Sequence, residues 1–118
     1  MEENKRRKRI MWGNKKEHQL IVTIVDQGKG EEVVDCSKLG GAEGGTILTG
    51  RGAGKETAKI LGILIEPEKD VVMILVEKAK ADFVLNAIVE GMELEKPGKG
   101  IAFVVDVPRV AGIANAEE

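Results

Sequence analysis

The chain has 118 residues, enough for one domain and too few for two. Its 42% hydrophobic and 32% charged residues exclude a disordered chain, and with aromatics at 3% and no Tyr the core must be built from Val, Ile and Leu. The net charge of −2 hides an asymmetry, because residues 1–17 hold seven Lys and Arg against three Glu, so a basic arm precedes an acidic domain.

Residues 1–17 show no stable hydrophobic period and read as an arm. Lys5–Arg9 is open to two readings, a nucleic-acid or anionic-lipid contact and a solvated tail; Trp12 is the arm's one aromatic. His18–Asp26 is β-branched and nearly continuously apolar, and it predicts a strand that stops at Gln27-Gly28. Lys29–Leu39 predicts a helix with Val33, Val34 and Cys36 on its inner face, ended by Gly40-Gly41. Gly45–Thr49 predicts a short strand, Gly50–Glu56 a Gly-rich loop, and Thr57–Glu66 a further strand. The latter is expected to turn at Pro67-Glu68-Lys69 and pair as a hairpin with Asp70–Val76.

Lys80–Leu94 has the most regular helical spacing, with Phe83, Val84, Ala87, Ile88 and Met92 expected in the core. Glu95–Gly100 then predicts a loop, Ile101–Val107 a last strand, and Ala114–Glu118 a loose tail. The domain is therefore residues 18–113, and the order β-α-β-β-α-β is that of an α+β ferredoxin-like sandwich, an antiparallel sheet with two helices on one face. Strands such as Val71–Val76 are apolar on both faces, so the second face is expected to pack against copies of the chain.

Catalytic constellations are lacking. His18, the single histidine, is expected at a solvent-facing strand end, and Cys36 as a buried, inert thiol. One cysteine forms no intramolecular disulfide and no thiolate zinc site, which fits a reducing, cytoplasmic compartment. The charged N-terminus has no apolar core of a leader, and Val71–Val76 falls far short of the about 20 apolar residues of a membrane span, so no membrane insertion is expected.

The glycines carry the functional signal. Gly44-Gly45-Thr46 and Gly50-Arg51-Gly52-Ala53-Gly54-Lys55 bracket one strand, and Gly98-Lys99-Gly100 precedes another. Glycine lets backbone N–H groups approach an anion closely, and the neighbouring Lys supplies charge. These are phosphate walls on one reading and tight turns on the other. Neither has the spacing of a Walker A loop.

Gly44–Lys55 (GGTILTGRGAGK), Glu66–Val76 (EPEKDVVMILV) and Pro97–Val110 (PGKGIAFVVDVPRV), in this order, resemble the PII family of nitrogen-regulatory signal transduction proteins over about residues 18–113. The resemblance implies a cytoplasmic homotrimer that is not an enzyme. It binds ATP or ADP in clefts between subunits, with 2-oxoglutarate joining through a metal ion on ATP. A loop between the second and third strands, the T-loop, then docks on a regulated transporter or metabolic enzyme. Carried onto this chain, Thr46 would read adenine, Gly52 and Gly54 would form the loop base beside Lys55, and Gly98, Lys99 and Gly100 would hold phosphate.

The departures bear on the ligand. There is no T-loop tyrosine to be uridylylated, and residues 54–67 must hold both the T-loop and a strand. Glu56 replaces a glutamine and argues against 2-oxoglutarate. Gly112 and Ala114 stand where the family has two phosphate-clamping arginines, leaving Arg109 nearby. With charge-assisted hydrogen bonds worth about 1.5–3 kcal/mol each, ATP affinity should fall, which leaves ADP, AMP or another anion, with or without Mg²⁺. The rival readings are a PII/CutA-type structural or interaction trimer without a nucleotide site, and nucleic-acid binding through the arm.

Overall fold

The structure is a computed structural model, described here over residues 16–52, 58–60, 63–65 and 68–112. The expected arm apart from its last two residues, Gly54, Lys55, Glu56 and the C-terminal tail lie outside these residues.

In chain order the elements are β1 (His18–Asp26), α1 (Gly30–Leu39), β2 (Thr46–Arg51), β3 (Ala58–Ile60), β4 (Ile63–Ile65), β5 (Glu68–Glu77), α2 (Lys78–Gly91) and β6 (Ile101–Val107). Four strands form one antiparallel sheet in the order β2-β5-β1-β6. With α1 and α2 packed on it, this is the α+β ferredoxin-like arrangement.

One expected pairing is corrected. Thr57–Glu66 does not form a hairpin with Asp70–Val76. The neighbour of β5 on that side is β2, from Thr46 opposite Met73 to Arg51 opposite Glu68. Residues 58–65 instead supply β3 and β4, which pair only with each other in a separate two-stranded sheet. Among the described residues between β2 and β5, none joins the main sheet. Apolar β-branched content identifies a strand but not its partner, and β2 satisfies the edge of β5 first.

Alternation fixes the two faces of the sheet. Ile21, Thr23 and Val25 of β1 and Val72, Ile74 and Val76 of β5 are buried beneath the helices. Val33 of α1 and Ala81, Val84 and Ile88 of α2 close over them, each fully buried aliphatic side chain contributing about 1.5–3 kcal/mol. The opposite face carries Leu48, Leu75, Ile101, Phe103 and Val105, all exposed. The expectation of an apolar second face is met.

Several side chains differ from expectation, among them Ala87, which is only partly buried. Phe83 is 69% exposed, because α2 turns Ala81, Val84 and Ile88 inward and Phe83 falls one position off that stripe. His18 is buried rather than solvent-facing, with Nδ1 3.0 Å from the Lys16 carbonyl oxygen. On α1 it is Ser37, four residues after Val33, that is fully buried; its hydroxyl donates to the Val34 carbonyl at 2.6 Å, while Val34 and Cys36 are only partly buried.

Helix α1 starts without a capping side chain of its own. Asp70, on β5, replaces it: Oδ2 accepts from the backbone N–H of Gly28 at 3.0 Å and of Gly30 at 2.9 Å. The helix ends at Gly40-Gly41, where N–H groups turn back to the carbonyls of Ser37 and Lys38. Helices α1 and α2 approach closely at Gly91, where an added Cβ would overlap the Cys36 sulfur.

Candidate functional site

The register of the sheet brings four chain segments to one of its ends. Arg51 closes β2, and Gly52 follows it. Lys69, near the start of β5, lies opposite Gly50 on one side and Asp26, the last residue of β1, on the other. Ile101, the first residue of β6, pairs with Ile24, which brings the Gly98-Lys99-Gly100 turn beside the end of β1. Across the end of the sheet the order is therefore Gly52, Lys69, Asp26, Gly100.

The contacts at this end are polar and charged. Lys69 Nζ donates to Asp26 Oδ1 at 2.7 Å. That hydrogen bond and the Lys69 charge hold the Asp26 carboxyl below its ordinary range, with Lys29 and Lys99 adding smaller lowering effects. Lys99 also lies 3.9 Å from Glu93, which makes a 2.6 Å pair with Lys96. The aliphatic stem of Lys69 rests beside Gly52, with its carbons 3.3–4.0 Å from where a Cβ would sit.

The two glycines of the 98–100 turn differ in role. Gly100 has φ of +139°, and a Cβ there would stand 2.6 Å from the Ile24 carbonyl oxygen, so it is needed for the chain to pass against β1. Gly98 has φ of +78°, a left-handed backbone that favours glycine, and nothing stands within 4 Å of where its Cβ would sit. A groove of about 290 Å³ adjoins this turn, lined by Val89, Leu94, Glu95, Gly100, Ile101 and Ala102, so its one charged lining residue among the described residues is a carboxylate. The N-terminus of α1, a natural anion cradle, is already occupied by Asp70.

Not every expected site residue gathers here. Thr46 is exposed on the outward face of β2, at the opposite end of that strand from Gly52. It lies on one edge of the sheet and the Gly98–Gly100 turn on the other, three strand spacings or about 14 Å apart. Arg109 follows β6 at the end where Val107 pairs with His18, also remote from Lys99. One chain thus presents two half-sites on opposite edges. Gly54 and Lys55 lie outside the described residues.

Asp26, Lys29 and Lys69 were not singled out from the sequence. Their proximity arises from strand register, and the one local signal was the placing of Lys69 in the turn before β5. Cys36 is partly buried; burial first, and then Glu32 and Asp35, push its thiol up, away from the reactive thiolate.

The family model for nitrogen regulatory protein P-II matches residues 18–117. The chain belongs to the PII family. No curated protein matches it in sequence. Among solved structures, B. subtilis GlnK superposes with a TM-score of 0.59 at 17% identity over 78% of this chain and 86% of that one. The B. subtilis GlnK-ATP complex gives the same TM-score, identity and share of this chain, over 85% of its own. At 17% identity these two likenesses are of fold. Arabidopsis thaliana PII bound to citrate superposes with a TM-score of 0.56 at 25% identity, over 78% of this chain and 76% of its own. The 52–67 connection joins β2 to β5, with Gly52 and Lys69 at its two ends.

Proposed function

We propose that this PII-family chain is a signal transduction protein that binds an adenine nucleotide between subunits and thereby controls a partner protein. The observation that carries the reading is the end of the sheet that carries Gly52 and Lys69 on β2 and β5 and, across β1, the Gly98-Lys99-Gly100 turn on the other edge. Lys69, Lys29 and Lys99 all act on Asp26 between them, and glycine-containing segments border this end on both edges. Backbone N–H groups freed by glycine, with ammonium groups around them, suit phosphate. A GlnK bound to ATP and a PII bound to citrate support an anion as the ligand class in this family.

The separation of Thr46 from Gly98–Gly100 supports a site completed by a neighbouring copy. The apolar outer face supports a homotrimer, since Leu48, Leu75, Ile101, Phe103 and Val105 are left in water otherwise. No helix of the described residues is long and apolar enough to cross a membrane. Regulation by occupancy needs a ligand whose affinity differs between two arrangements of the T-loop and no covalent chemistry.

The test is the Lys55→Ala/Lys99→Ala double variant. It is expected to keep its melting temperature and oligomeric mass but bind ADP and ATP at least about tenfold more weakly, each lost charged hydrogen bond being worth roughly 1.5–3 kcal/mol. Undiminished binding would remove the site from this end of the sheet. A second reading, a PII-type trimer without a nucleotide site, draws on Gly112 and Ala114 standing in place of the family's two arginines. It predicts a trimer by light scattering that binds none of the nucleotides.

A further inference from the structure

We propose that Asp26 is a built-in competitor for the anion site, holding the Lys69 ammonium that a ligand phosphate would otherwise take and so setting the affinity of the site. The inference rests on the reading of this sheet end as the anion site.

The placement of Asp26 argues for it. It is the last residue of β1 and sits between Lys69 on β5 and the Lys99 turn that leads into β6. A carboxylate there stands among cations on both neighbouring strands, and Lys29 acts on it from its own chain segment. Glu93 lies 3.9 Å from Lys99 and the buried Asp70 follows Lys69 in β5, so a further anion here would depend on the Lys69 ammonium. The oxygen 2.7 Å from Lys69, however, already fills that ammonium's best contact.

The two partners are held unequally. The Lys69 side chain is 29% exposed and its stem lies against Gly52, whereas the Asp26 side chain is 59% exposed. The ammonium is the fixed member and the carboxylate the replaceable one. An exposed ion pair of this kind contributes little to stability, so its exchange for a ligand costs the fold little. A bound phosphate would be opposed by the Asp26 charge until the carboxylate turns away from Lys69. Because the Lys69 stem rests on Gly52, such an exchange is felt where the chain leaves β2 for the T-loop.

Asp26→Asn keeps the shape and removes the charge. Its affinity for ADP and for inorganic pyrophosphate should rise about 5- to 20-fold at low ionic strength, with the gain shrinking as salt is added. Asp106→Asn makes the same change of net charge on β6, where Asp106 accepts from Gln19 at 2.7 Å, and should leave both affinities unchanged. Lys69→Gln should weaken both.

Calorimetric titration of wild type and these variants with both probes decides the matter. If wild type binds ADP and Asp26→Asn binds no tighter, or Asp106→Asn gains as much, the inference is overturned and the proposed function stands. Tighter pyrophosphate binding by Asp26→Asn, with ADP bound by neither protein, upholds the inference and overturns the nucleotide reading. Absence of binding to either probe by wild type and Asp26→Asn alike overturns both.

Discussion

Asp70 and Asp26 are both aspartates at the same end of the sheet, yet their environments give them opposite duties. Asp70 is buried and accepts from the N–H of Gly30, the first residue of α1, and from that of Gly28 in the turn before it. Asp70→Ala should cost about 1–3 kcal/mol in urea denaturation, because the buried Gly30 N–H loses its acceptor. Asp70→Asn should cost less, since its carbonyl oxygen can still accept. Asp26 is exposed, and Lys69 holds its carboxyl below the ordinary value of 3.8. The folded protein thus favours the ionised form, so the pair's contribution is complete above the unfolded value and is lost as pH falls through the lower folded one. The melting temperature of wild type should exceed that of Asp26→Asn by a small margin near neutrality. That margin, equivalent to a few tenths of a kcal/mol for so exposed a pair, should vanish as pH falls through the lowered folded value. A constant difference across the range would show that the pair is not the cause.

At the scale of elements, hydrophobic periodicity was a good guide wherever burial decides. β1, α1, β5 and α2 are legible because alternation or helical spacing matches a face that is covered, and β6 is legible from its apolar β-branched run although none of its residues is buried. It failed where pairing decides. Nothing local in Thr57–Glu66 says that its neighbours are its own residues rather than β5, and the pairing partner of β5 is set by β2 across a long connection. Phe83 misled for a related reason: it fits a helical stripe, but the stripe that faces the sheet is offset by one residue. The Asp70 cap was invisible, being 40 residues from the helix start it serves. Close packing of α1 on α2 was equally hidden, and it supplies a test. Gly91→Ala forces a methyl onto Cys36 and should destabilise by about 1–3 kcal/mol. Cys36→Ala in the same chain should recover part of that loss, because it removes the overlapping sulfur; equal costs with and without the sulfur, in a double-mutant cycle by denaturation, would contradict this packing.

For the whole molecule, a single chain is an incomplete device. The Gly-rich segments were legible in sequence as candidate phosphate walls, and the chain is shown to be of the PII family. Their distribution was not legible, because it depends on strand order: Thr46 and Gly98–Gly100 end on opposite edges of the sheet, with an apolar face between them. The account therefore requires copies of the chain to complete the site. Its central claim is nucleotide sensing, and the most direct measurement is calorimetric titration of the full-length protein with ATP, ADP and AMP, each with and without Mg²⁺ and 2-oxoglutarate. The account predicts micromolar binding of at least one adenine nucleotide at about one site per chain, with ADP or AMP holding up against ATP if Gly112 and Ala114 stand, as the resemblance implies, where the family has arginines. No heat with any of them, from a folded and oligomeric protein, would contradict it.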